Sequence, residues 1–122
     1  MSRFYIQLKR TLLLSSMIAA ASPAQSFTIS DGETVTATQT LSIDGATGLI
    51  ISGGIIDTSG TNGRIAVSVA ADNVAVTNNG SISCNRSVDC ISINGNRTNV
   101  TVINNGSITA SGTQGDGVAQ NN

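Results

Sequence analysis

The segment Val76-Thr77-Asn78-Asn79-Gly80-Ser81-Ile82 returns as Val102-Ile103-Asn104-Asn105-Gly106-Ser107-Ile108, an offset of 26 residues. One step further back, Ile50-Ile51-Ser52-Gly53-Gly54-Ile55-Ile56 is degenerate but in phase. Other columns agree: Val74 with Val100, Ile65 with Ile91, and Val67 with Ile93. Val118 falls one position late against Ile91, which reads as a one-residue insertion in a turn. Gly60-Thr61-Asn62-Gly63 also answers Gly112-Thr113-Gln114-Gly115 at twice the offset. A fixed period of this length, with apolar residues in register, means stacked units that each bury a face on the next.

Side-chain chemistry decides what the units are made of. From residue 25 onward the large apolar residues are 21 Ile and Val, against only Leu41, Leu49 and Phe27. Stiff β-branched side chains suit a pleated surface better than a helix. Period-two alternation recurs in Ile65-Ala66-Val67-Ser68-Val69, Ile91-Ser92-Ile93 and Val100-Thr101-Val102. Gly, Asn, Ser and Thr make up 50 of these 98 residues, which is turn chemistry in bulk. The reading is all-β: a right-handed parallel β-helix of about three to four laps. Each lap contributes about three short strands, paired with their equivalents ~4.8 Å along the axis. Ile50/Val76/Val102 and Ile56/Ile82/Ile108 are expected to stack inside the tube. Asn78/Asn104 and Asn79/Asn105 are expected in the turns as amide ladders. Gly54, Gly80 and Gly106 are expected to bend the chain with dihedrals costly for other residues. Residues 25–47 lose the phase and read as an irregular capping lap, followed by repeats over 48–122. A β-sandwich of antiparallel hairpins is the competing architecture. Disorder is disfavoured by the β-branched content and low net charge.

The opening residues have a separate logic. Arg3, Lys9 and Arg10 precede an apolar run from Leu12 to Ala21, with small residues at Ser22 and Ala24. That is the layout of a secretory signal peptide over residues 1–24, cut between Ala24 and Gln25. The apolar run is roughly half of what a spanning helix needs, which argues against a membrane anchor. Beyond the cut, seven acidic residues face Arg64, Arg86 and Arg97, a net charge of −4. So few cations and a single aromatic leave no footprint for nucleic acid. Two cysteines without histidine do not complete an ordinary zinc site. No cofactor motif is present: the sequence has no P-loop, no Gly-x-Ser-x-Gly elbow and no Gly-Gly-x-Gly-x-Asp calcium repeat.

A signal peptide followed by degenerate laps of the form apolar-x-Asn-Asn-Gly-Ser-Ile resembles the passenger region of bacterial autotransporters. The matching residues are Val76 to Ile82 and Val102 to Ile108. Phe27-Thr28-Ile29-Ser30-Asp31-Gly32-Glu33-Thr34-Val35 resembles a passenger's first lap. The resemblance implies export from a Gram-negative cell and display on its surface, or release, most often for adhesion to a host or other surface. It also implies a C-terminal membrane barrel, whose amphipathic strands are missing from this sequence. The chain stops at Val118-Ala119-Gln120-Asn121-Asn122 in mid-lap. A partial product of a longer gene is therefore expected, periplasmic if the barrel is absent. An uncovered last lap is expected to self-associate edge to edge. The function expected is a non-catalytic stalk or adhesin. A β-helical polysaccharide-active enzyme and a free-standing secreted binding module are the alternatives. The ligand has no transferable code in the sequence.

Cys84 and Cys90 enclose five residues, and in an oxidising compartment an even pair reads as a disulfide. Asp89 and Asp116 lie one lap plus one residue apart and would suit a retaining glycosidase if their carboxylates stacked. Two turn aspartates bonding their own backbone explain them more simply. Five Asn-x-Ser/Thr triplets begin at Asn79, Asn85, Asn96, Asn99 and Asn105. Their place in the repeat favours turn ladders over glycan attachment. Thr34, Thr36, Thr38 and Thr40 resemble an ice-binding row, but the laps at 74 and 100 do not repeat it.

Overall fold

The computed structural model describes residues 25–85, 87–112 and 114–122. The expected leader and its cleavage residue Ala24 lie outside them. No helix occurs among the described residues. Twelve short strands wind through four tiers. The first tier is β1 (Phe27–Ile29), β2 (Thr34–Val35) and β3 (Gln39–Leu41), and the second is β4 (Thr47–Ile50), β5 (Ile55–Asp57) and β6 (Val67–Val69). The third is β7 (Ala75–Asn78), β8 (Ser81–Asn85) and β9 (Ile91–Asn94), and the fourth is β10 (Thr101–Asn104), β11 (Ser107–Ser111) and β12 (Val118–Asn121). Each strand pairs with its counterpart one tier away, which gives three four-stranded sheets: β1-β4-β7-β10, β2-β5-β8-β11 and β3-β6-β9-β12. Every pairing is parallel. This is a β-solenoid with a lap of about 26 residues.

The second sheet carries the cleanest core column: Val35, Ile56, Ile82 and Ile108, with Ile56 and Ile82 fully buried. Burying an isoleucine of this kind contributes roughly 2 kcal/mol. Parallel sheets normally need cover on both faces. Here the tube closes on itself, so each sheet packs its inner face against the other two.

The other columns depart from the sequence expectation. Val76 and Val102 do stack, yet the residue above them is Gly48, not Ile50. Ile50 sits over Asn78 instead. In the third sheet Ile91 pairs with Val67 and Ile93 with Val69, so the expected partners Ile65 and Val67 are displaced by two residues. Both errors have one cause. The corner between first and second sheets holds four residues in the second tier (51–54) and two in the third (79–80). The loop before the third sheet is also longer in the second tier, and the return to the first sheet is shorter. These differences cancel over a lap. The one-residue slip at Val118 appears as expected, since Val118 pairs with Ile91.

Gly48 has a specific reason to lack a side chain. A Cβ there would lie 2.6 Å from Phe27 Cζ, so the ring of the tier above fills that space. Residues 27–41 do give one strand to each sheet, but pair with the second tier at offsets of 21 and 28. The end tiers have a neighbour on one side only, and the fourth exposes Ile103 and Val118.

Candidate functional site

The tube wall is organised by its corners. Asn78 ends β7 and Asn104 ends β10, so both close strands instead of lying in turns. Asn78 is fully buried. Its Nδ2 donates to Asn104 Oδ1 at 2.8 Å and to Ser107 O at 3.0 Å, and its Oδ1 accepts from Gly80 N at 3.1 Å. All of its polar capacity inside the wall is used, which is what makes burial of an amide tolerable. On the outer side Asn105 Nδ2 donates to Asn79 Oδ1 at 2.9 Å. Ser81 and Ser107 hydroxyls meet at 2.8 Å.

Gly80 and Gly106 are required by close approach. Neither has a left-handed φ, contrary to the expectation of a costly dihedral. A Cβ on Gly80 would lie 2.2 Å from Gly54 O, and one on Gly106 would lie 2.0 Å from Gly80 O. Those same carbonyls accept from Ser81 N and Ser107 N, both at 3.0 Å. The tight corner therefore stacks glycine on glycine because a backbone carbonyl fills the place of the side chain.

A further ladder escaped the sequence reading. At the corner that returns to the first sheet, Gly45, Asn73 and Asn99 share one column and all have left-handed φ, at 78°, 55° and 55°. Asparagine tolerates that region better than most residues. Asn99 Nδ2 donates to Asn73 Oδ1 at 2.9 Å, and Asn73 Nδ2 donates to Asp44 Oδ1 at 2.7 Å. The available signal was the 26-residue spacing of Asn73 and Asn99, each followed by valine.

Cys84 and Cys90 form a disulfide with Cα atoms 5.2 Å apart. Both are fully buried, so the bridge belongs to the core and not to an exposed loop. Thr58 and Ala110 flank Cys84 in the stack, and Ala66 and Gly117 flank Cys90. Small residues above and below make room for the sulfurs. Asp89 does not hold a partner carboxylate. Its Oδ1 accepts from Asp116 N at 3.1 Å and its Oδ2 from Asn121 Nδ2 at 3.0 Å, so it ties the fourth tier to the third.

One cleft, of about 170 Å³, opens on the side of the tube. It lies where the nine-residue loop 58–66 of the second tier overhangs the three-residue corner 36–38 of the first. Thr36, Asp57, Thr58, Gly60, Thr61 and Arg64 line it. Arg64 Nη1 donates to Thr36 O at 3.2 Å, and Thr58 Oγ1 donates to Arg64 O at 3.0 Å, which fixes the loop. The hydroxyl and backbone N–H of Ser59 hold the Asp57 carboxyl below its ordinary value. The cleft thus offers a guanidinium, an ionised carboxylate and threonine hydroxyls to a small polar group. Of the threonine row, Thr36 alone reaches it. Among the described residues no three His, Cys, Asp or Glu side chains gather to hold a metal ion.

Compared with models of protein families, with curated proteins and with solved structures, the chain matches none.

Proposed function

We propose that this chain is a passenger segment of the autotransporter type: an exported, non-catalytic β-helical stalk or adhesin. The observation that carries the reading is the stacked, laddered Asn-Asn-Gly corner on a fixed lap, following a basic, apolar and then small-residue start. A tube of this kind is quasi-one-dimensional, each tier gaining its stability from the tier before it. Such a chain suits crossing a membrane unfolded, because it folds progressively as it emerges. The Cys84–Cys90 bridge spans only six residues of sequence, so even when oxidised it adds little bulk to a threading chain. The outer faces of the ladders present a polar, uncharged surface, and the loop cleft beside Arg64 supplies a place for a small polar group of a surface ligand.

The test is to express residues 1–122 ahead of an autotransporter barrel in a Gram-negative host. Surface exposure is read by protease shaving of intact cells, and the mature N-terminus by mass spectrometry. Surface-accessible product beginning at Gln25 is expected. A cytoplasmic product retaining Met1 overturns the reading. Turnover of any member of a polysaccharide panel by the purified chain overturns its non-catalytic part.

A further inference from the structure

The sequence holds four Asn-Gly pairs: Asn62-Gly63, Asn79-Gly80, Asn94-Gly95 and Asn105-Gly106. Such a pair is open to self-attack, because glycine has no side chain to keep its own backbone nitrogen from the preceding asparagine Cγ. The fold treats the four differently. Gly80 N donates to Asn78 Oδ1 at 3.1 Å. Gly95 N donates to Asn121 O at 2.6 Å, and Gly106 N to Asn78 O at 3.1 Å. Each of these nitrogens is engaged within or across tiers. Gly63 N has no acceptor among the described residues. Asn62 and Gly63 form the exposed tip of a turn closed by Arg64 N donating to Thr61 O at 3.3 Å. Gly63 has φ +75° and open space around it, so this peptide is free to rearrange.

We infer that Asn62 is a site of fold-selected deamidation, which adds a negative charge to the Arg64 loop as the protein ages. Gly63 N gives up its proton to water or hydroxide and attacks Asn62 Cγ. The bond from Cγ to the amide nitrogen breaks and ammonia leaves, closing a succinimide. Water then opens the ring to aspartate or isoaspartate, so no oxidant or reductant takes part. The new carboxylate sits two residues from Arg64, on the rim of the cleft that Thr61 and Arg64 line. Ser87 Oγ meets Asn62 Oδ1 at 3.1 Å, and a carboxylate accepts the same bond. The aspartate product therefore keeps the tie to the disulfide loop, whereas isoaspartate lengthens the turn backbone and strains it.

The experiment incubates the folded full chain at mildly alkaline pH and follows each site by peptide mapping. Fragmentation that separates aspartate from isoaspartate identifies the product. Asn62 is expected to convert on the order of tenfold faster than Asn79, Asn94 and Asn105, since each of those must first open about one net hydrogen bond. In denaturant the four sites should convert at similar rates, and Gly63→Ala should suppress conversion at Asn62 in both conditions. Equal rates at all four sites in the folded chain overturn the inference. So does an Asn62 that stays intact when folded while converting in denaturant.

Discussion

The corner between the first and second sheets is built in two ways in the two halves of the tube. In the first two tiers it is wide: Ser30-Asp31-Gly32-Glu33 stacks on Ile51-Ser52-Gly53-Gly54, and Gly32 and Gly53 align with φ of 78° and 86°. The residue that closes the strand before it is Ile29 or Ile50, both buried. In the last two tiers the corner shrinks to Asn79-Gly80 and Asn105-Gly106, and the strand-closing residue becomes Asn78 or Asn104. The wide corner bends with left-handed glycines and packs with aliphatic side chains. The tight corner bends through amide hydrogen bonds and makes room with bare glycine Cα atoms. The two meet where Ile50 stacks on Asn78. A solenoid wall thus demands matching register between tiers but accepts different chemistry, provided every buried polar group finds its partner.

Alanine at the two kinds of glycine should separate these mechanisms most sharply. Gly80→Ala drives a Cβ into Gly54 O, a backbone atom that has nowhere to go, and should cost about 3 kcal/mol. Gly53→Ala meets only the movable Asp31 carboxylate and pays for its left-handed φ, about 1 kcal/mol. Denaturant midpoints of the two variants decide it, and equal losses would mean that the corners do not differ in kind.

The next effect belongs to the tight half alone. Replacing both cysteines by alanine removes a loop closure worth about 2.4 kcal/mol in the chain-entropy estimate, with the solenoid's circular dichroism retained. Asn78→Ala should cost about 2 kcal/mol, because Asn104 Oδ1 and Gly80 N are left without their partner. Asn105→Ala, on the exposed ladder, should stay within about 0.5 kcal/mol. A double-mutant cycle over Asn78 and Asn104 measures the ladder bond directly.

The smallest expected effect is a pH dependence in the wide half. The carboxyl of Asp57 titrates below its ordinary value because Ser59 donates to its charged form. Its contribution is present above the unfolded pKa and disappears as pH falls through the lower folded value. Acid titration of stability should therefore lose a small component in Asp57→Asn, while neutral-pH stability hardly changes.

Much of this was legible beforehand, and what was missed has a physical cause. Ile56, Ile82 and Ile108 revealed the stack because that sheet keeps the 26-residue offset in both its repeats. Ile50 and Ile65 were assigned to wrong columns because the second tier gains two residues at one corner and returns them at another. A slip of two preserves which side chains face inward, so alternation carries no trace of it. Glycine at positions 80 and 106 was visible, but its reason was not. Close approach of a carbonyl from the next tier is a property of the stack and not of the local chain. The cleft beside Arg64 was invisible for a related reason, since it arises from a difference in loop length between two neighbouring tiers.

Parallel pairing of residues one lap apart is most directly tested by nuclear Overhauser contacts across the sheets. Backbone contacts should link Val76 with Val102 and Ile82 with Ile108, each 26 residues apart, and Gly48, not Ile50, with Val76. Short Hα–Hα contacts between β7 and β8 would mean antiparallel hairpins, and the solenoid would be wrong.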